Sequence, residues 1–153
     1  MDQALQDTLF EKYPTLFVNK DEDIKNSCMA WGIECGNGWH DIISSLCWMI
    51  QQREDNIKSR QEYLKKQDKN IQKDLNINII GEEVEYFPVK FDQIKEKFGG
   101  LRIYFTGGDD YVEGLVSMAE SFSYQVCELC GEKGKPNKNG WISTLCEKCR
   151  SKT

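Results

Sequence analysis

Two Cys-X-X-Cys pairs near the end of the chain constrain its fold more than any other feature. Cys127 and Cys130 form the first pair, Cys146 and Cys149 form the second, and fifteen residues separate the two pairs. The two-residue gap lets each pair of thiolates occupy one edge of a tetrahedron, the arrangement that zinc prefers in structural sites. Because four thiolates leave no open coordination position, we expect one structural Zn²⁺ ion that has no hydrolytic role.

The residues between the two pairs have the turn residues and the short strand of a zinc ribbon. Gly131 directly follows the first pair and suits a knuckle turn, and residues 141–145 are predicted to form the strand. We therefore predict a core domain over residues 1–126 followed by a zinc-ribbon module over residues 127–153. This module has six basic and three acidic side chains, a net charge of +3 that Zn²⁺ with four thiolates lowers to about +1.

The composition indicates a protein of the cytoplasm. The chain has 153 residues, of which 39% are hydrophobic, enough for one compact domain with an appendage. Its first residues are polar and acidic instead of an apolar leader, so the seven cysteines are expected to be reduced thiols or metal ligands. No stretch approaches the roughly 20 apolar residues of a membrane span. The formal net charge of −5 also argues against nucleic acid as the main partner.

The spacing of apolar residues predicts three helices that pack against a core. They cover residues 2–13, 39–50 and 110–122. Pro14 ends the first helix, and Asp110 begins the last one as its capping residue.

Residues 51–75 also have helical spacing, but with very different chemistry. Their apolar positions thin to Ile57, Leu64 and Ile71, one in seven residues after Ile50. A stripe this narrow cannot bury a helix in a core. We predict a protruding charged helix, or an insertion that becomes ordered only against a partner. The stripe is also the predicted seam of a homo-oligomer, if the chain self-associates.

Residues 84–106 alternate with a period of two, which predicts an antiparallel hairpin packed on the helices. With Gly99-Gly100 as the two-residue loop, Lys97 faces Arg102 across the strands. One face is then apolar, and the other collects the residues that we select as a candidate anion-binding site: Lys95, Lys97, Arg102 and Tyr104. The order helix, hairpin, helix and metal module predicts an α+β fold.

The sequence contains no familiar catalytic motif. His40 is the only histidine, and no nucleophile elbow, phosphate loop or paired-carboxylate motif is present. The spacing of the remaining cysteines, Cys28, Cys35 and Cys47, does not match that of a metal site. We therefore expect a protein without enzymatic activity.

Four segments together resemble a known group of proteins: CMAWGIECGNGWHDII, KEKFGGLRIYF, AESFSYQVCELCGEKG and GWISTLCEKC. They are similar to a family of small phage- and prophage-encoded proteins with a helix led by Gly-Trp, a hairpin of the KEKFGGLR type and a C-terminal four-cysteine motif. The resemblance covers about residues 10–50 and 91–149. It implies a viral accessory protein that acts in the cytoplasm of an infected bacterium, where such proteins often block host defence.

Three functional hypotheses follow from these features. The first is a non-enzymatic binder that sequesters an anionic, nucleotide-type signal on the hairpin face, with Arg102 and Tyr104 as its strongest residues. The second is an inhibitor that binds a host defence protein through the charged helix and the acidic surface. The third is a zinc ribbon that binds nucleic acid. For Lys95 and Lys97, simple solvation at the outer face of a sheet is the more ordinary interpretation.

Overall fold

The computed structural model of the protein describes residues 1–75, 86–137 and 140–152, except for the side chains of residues 67–75. These residues form an α+β fold with a C-terminal four-cysteine cluster, which confirms the predicted fold class. The helices are α1 (Gln3–Lys12), α2 (His40–Leu75), α3 (Asp110–Ser123) and α4 (Glu147–Arg150). The strands are β1 (Ile33–Glu34), β2 (Lys90–Lys97), β3 (Gly100–Thr106), β4 (Lys135–Pro136) and β5 (Thr144–Leu145).

The main sheet has three strands in the order β1-β2-β3, one more than the predicted hairpin. Strand β1 runs parallel to β2 and places Ile33 beside Ile94, whereas β2 and β3 are antiparallel. Because β1 is only two residues long, its sequence carries no detectable alternation. The apolar face of the sheet, with Ile94 and Leu101 fully buried, packs with the helices into one core.

The loop of the hairpin is Phe98-Gly99, not Gly99-Gly100 as predicted. Phe98 and Gly99 have φ angles of 54° and 75°, the left-handed pair that a tight hairpin turn requires. Lys95 therefore faces Arg102, and Lys97 faces Gly100, so the predicted pairing of Lys97 with Arg102 is wrong. Since partners move by two positions when the loop shifts by one, each residue of the strands stays on its predicted face.

The second glycine is needed for packing and not for the turn. A Cβ atom on Gly100 would collide with the aromatic ring of Tyr124, which lies just after α3. Phe98, predicted on the apolar face, instead occupies the turn and is 67% exposed. A short-range preference for Gly-Gly loops therefore pointed to the wrong loop.

Helix α2 is continuous through both segments that were predicted separately. Near its middle the Glu54 carboxylate is buried and accepts a hydrogen bond of 2.8 Å from the backbone N–H of Val89, which fixes the entry to β2. Residues 55–66 are mostly exposed, including Leu64 of the predicted stripe, and the side chain of Ile71 lies outside the described residues. In the part of the chain that is described, no helix is both long and apolar enough to cross a membrane.

Helix α3 is anchored to α2 through its capping residue. Its capping residue is Asp109, one position before the predicted Asp110, and Asp109 Oδ1 accepts a hydrogen bond of 3.2 Å from Val112 N. Asp109 Oδ2 accepts from Arg53 Nη2 at 2.7 Å. Burial alone would raise the pKa of Asp109, but the hydrogen bonds from Arg53 and Val112 outweigh it and lower that pKa.

Helix α3 also covers the free edge of the sheet. Strand β3 is an edge strand, so its outward N–H groups need partners. Ser123 Oγ accepts from Leu101 N at 2.9 Å, and Glu120 Oε1 accepts from Ile103 N at 2.9 Å. Two polar side chains of α3 thus satisfy backbone donors that another chain could otherwise pair with.

Candidate metal centre and hairpin face

The four cysteines of the two pairs converge on one point. Their sulfur atoms all lie within 4.8 Å of one another, and Cys130 Sγ is 3.6 Å from Cys146 Sγ. Four sulfurs around a zinc ion would be about 3.8 Å apart, given Zn–S bonds of about 2.3 Å. The cluster is therefore of the right size to hold one metal ion.

Each cysteine pair lies on a tight turn that directs backbone groups toward the cluster. In the first turn, Gly131 has a φ of 80° and its N–H donates to Cys127 O at 2.9 Å. In the second, Cys146 begins α4, and its sulfur accepts a hydrogen bond of 3.4 Å from Cys149 N. Both turns are local structures, which is why the sequence predicted them.

The environment of the four thiols is uneven. Burial alone would raise the pKa of Cys127, but backbone N–H groups of Cys146, Cys130 and Leu129 outweigh it and lower the pKa to about 7. Hydrogen bonds with the sulfurs of Cys130 and Cys146 raise the pKa of Cys149 to about 12. A metal ion bound by all four sulfurs would therefore displace protons.

The glycine-rich segment before α2 docks directly on the first cysteine turn. The N–H groups of Gly36 and Gly38 donate to Glu128, to its side-chain Oε1 at 2.9 Å and to its backbone O at 2.7 Å. Trp39 Nε1 donates to Val126 O at 2.9 Å. A Cβ atom on Gly38 would collide with the backbone of Cys127 and Gly131. The two glycines before a tryptophan were the only sequence signal of this contact.

The tip of the hairpin also docks on the cysteine module. Thr144 is buried, and its Oγ1 donates to Gly99 O at 2.6 Å. The backbone O of Thr144 accepts from Glu128 N at 2.9 Å, which joins this contact to the first cysteine turn. The cysteine cluster, the hairpin tip and the Gly36–Trp39 segment therefore form one connected structure, across the predicted boundary at residue 126.

The four candidate anion-binding residues lie on one face of β2 and β3. Lys95 Nζ is 5.3 Å from the ring centroid of Tyr104, and Lys97 Nζ is 5.6 Å from that of Phe98. Among the described residues, neither lysine has a carboxylate within ion-pair distance, although Glu34 lies beside Lys95 in the sheet. Both ammonium groups thus lie over aromatic rings.

The guanidinium group of Arg102 is bound by other side chains of the protein. Its Nη1 is 3.4 Å from Glu120 Oε2, its Nη2 donates to the hydroxyl of Tyr124 at 3.0 Å, and the side chain is 30% exposed. Arg102 therefore folds over α3 and attaches the outer face of the hairpin to that helix. Because Glu120 and Tyr124 follow Arg102 by 18 and 22 residues, local sequence could not reveal these partners.

A groove of about 440 Å³ opens beside Tyr104. Its walls include the carboxylates of Glu22 and Asp92 together with the amide of Asn19. These acidic groups disfavour an anion on this side of Tyr104, so an anionic ligand would have to approach over Lys95 and Lys97.

The remaining thiols of the core are not ready nucleophiles. Burial raises the pKa of Cys35 to about 12 and raises that of Cys47 even more strongly. The Nδ1 atom of His40 lies 3.1 Å from Asp41 Oδ1, and its Nε2 is buried without a hydrogen-bond partner within the described residues.

The chain matches no protein-family model, no curated protein and no solved structure. The fold and the cluster define the class of protein: it is an α+β protein with a C-terminal four-cysteine site able to hold a metal ion.

Proposed function

We propose that this protein is a non-enzymatic binding protein whose structure depends on one zinc ion. The observation that carries the proposal is the closed set of four sulfurs at the junction of the hairpin tip and the segment before α2. Four thiolates in a tetrahedral arrangement are typical of zinc or of iron–sulfur chemistry, and pairs on knuckle turns favour a single zinc ion. Such a site stabilises the fold and has no open coordination position for a substrate.

The metal content of the purified protein tests this directly. We expect one zinc per chain by elemental analysis of freshly purified protein. Cys130→Ser should lose that zinc, because a hydroxyl is a poor replacement for a thiolate ligand. Cys28→Ser is the matched control, since Cys28 is exposed and outside the cluster. Iron in place of zinc, or full zinc content in Cys130→Ser, would contradict the proposal.

The proposed ligand is an anionic small molecule of the nucleotide type, bound unchanged on the hairpin face. What supports it is the arrangement of Lys95, Lys97 and Tyr104, which offers two ammonium groups for phosphate and a ring for stacking. Arg102 would contribute less than the sequence suggested, because Glu120 already compensates part of its charge. Lys95 and Arg102 lie opposite each other in the sheet, and a bound anion would also reduce the repulsion between their like charges.

Calorimetry against a panel of linear and cyclic nucleotides tests this site. We expect Lys95→Ala to weaken binding about tenfold, the effect of losing one charge-assisted contact. Arg102→Ala should weaken binding less and lower the melting temperature instead, because its contacts with Glu120 and Tyr124 are internal. Lys58→Ala, on the exposed part of α2, is the control. Equal effects of Lys95→Ala and Lys58→Ala would exclude this face, and a chemically altered ligand would show an enzyme.

A second candidate function, the binding of a host protein, is favoured by an apolar groove between α2 and α3. The groove has a volume of about 430 Å³ and exposes Met118 and Phe122, the residue type and geometry that accept a partner helix. The role in countering bacterial defence, proposed for either function, is supported by the sequence resemblance alone. Protein with full zinc content that binds no nucleotide would favour this second candidate.

A further inference from the structure

Two exposed aromatic rings flank the contact between the hairpin tip and the cysteine module. Phe98 is 67% exposed and Trp141 is 83% exposed. The residues that follow them, Gly99 and Ile142, are in close contact, since a Cβ atom on Gly99 would lie 2.9 Å from Ile142 Cγ2. Both rings are therefore displayed at the same end of the molecule, and neither is needed to fill the core.

Two neighbouring grooves lie on the cysteine module and share Leu145 as a wall residue. Trp141 lines a groove of about 410 Å³ together with Leu145, and Leu145 also lines a second groove of about 460 Å³. The second groove carries three lysines against two glutamates, a balance of +1 before the adjoining cysteine cluster is counted: Lys133, Lys135, Lys148, Glu132 and Glu147.

Arg150 fixes the wall between the two grooves. Its Nη2 donates to Lys135 O at 2.6 Å and to Leu145 O at 3.3 Å, which ties β4 to β5. An aromatic groove and a lysine-bearing groove thus lie side by side on the cysteine module.

We propose that this surface binds single-stranded nucleic acid, with bases stacked on Trp141 and Phe98 and phosphates beside Lys133, Lys135 and Lys148. Stacking platforms next to lysines are the means by which proteins hold single strands without sequence preference. A duplex fits less well, because its bases are already stacked and cannot use the exposed rings. The three lysines are offset by two glutamates and by the adjoining thiolates of the cluster, so stacking makes the larger contribution. The surface adjoins the proposed nucleotide site at Phe98, since Lys97 Nζ lies 5.6 Å from the centroid of that ring, but Lys95 and Tyr104 take no part in it.

The test is fluorescence anisotropy of the full chain, with confirmed zinc content, against labelled single-stranded DNA and RNA oligonucleotides at low ionic strength. We expect the wild type to bind and Trp141→Ala to bind about tenfold more weakly, the effect of one lost stacking partner. Trp48→Ala is the matched control, because Trp48 is 52% exposed on α2 and lines neither groove. Lys148→Ala should make the logarithmic salt dependence shallower by about 0.7.

Several results would overturn the proposal. Failure of the zinc-loaded wild type to bind either oligonucleotide would do so, as would equal losses in Trp141→Ala and Trp48→Ala. Tighter binding of duplex than of single strands would exclude the stacking geometry. Lys95→Ala should leave oligonucleotide binding unchanged, and a loss there equal to that of Trp141→Ala would show that the two surfaces are one site. Nucleotide calorimetry can fail without affecting these outcomes, so the two proposals are tested separately.

Discussion

Removal of the proposed zinc ion should release the hairpin tip as well as unfold the C-terminal module. Structural zinc contributes an apparent 10–16 kcal/mol, roughly, to the folding of small zinc modules at neutral pH. Here the first cysteine turn also holds Trp39 and the Gly36–Trp39 segment, and Thr144 holds the hairpin tip through Gly99 O. Loss of the cluster would therefore remove partners from two distant parts of the core.

Hydrogen exchange followed by mass spectrometry checks this expectation. After chelation, or in Cys146→Ser, we expect faster exchange in residues 126–150 and in residues 96–101 of the hairpin. Helix α1 should remain protected, because none of its described hydrogen bonds reaches the module. Cys28→Ser should behave as the wild type. If the hairpin tip kept its protection while the module unfolded, the contact through Thr144 would be unimportant.

Gly38→Ala is expected to destabilise the protein strongly. Its Cβ atom would collide with Cys127 O and Gly131 N and would lie 2.8 Å from Cys130 N. All three are backbone atoms of the first cysteine turn, so they cannot move without displacing the cysteines of the cluster. Overpacking of this kind costs about 1–3 kcal/mol and more where the backbone cannot yield. We expect about 3 kcal/mol or more, together with weaker metal binding.

Denaturant unfolding and a metal-competition titration measure the two effects. Gly114→Ala is the matched control, because Gly114 lies within α3 and a Cβ atom there would meet nothing within 4 Å. In a helix this change should be neutral or stabilise the protein by up to about 1 kcal/mol. Equal stability of the two variants would mean that the segment before α2 does not dock on the cysteine turn as described.

The features that the sequence predicted correctly are those that local spacing determines. Two cysteines separated by two residues bring their sulfurs together through the turn itself. Each pair could therefore be predicted without reference to the rest of the chain. The alternation of β2 and β3 likewise placed Lys95, Lys97, Arg102 and Tyr104 on one face, because a strand has a period of two whatever the loop.

Only the tertiary structure decided the register of the hairpin and the use of its face. Local preference could not choose between two adjacent loops containing glycine, and the ring of Tyr124 selects the one that leaves Gly100 in the strand. Arg102 was the strongest candidate by charge and position, yet Glu120 and Tyr124 bind it from α3. Gly38 carried no charge or reactive group to mark it, and its role follows from the absence of a side chain where two backbone segments meet. Contacts between residues far apart in the chain depend on packing, and packing is the information that spacing alone does not contain.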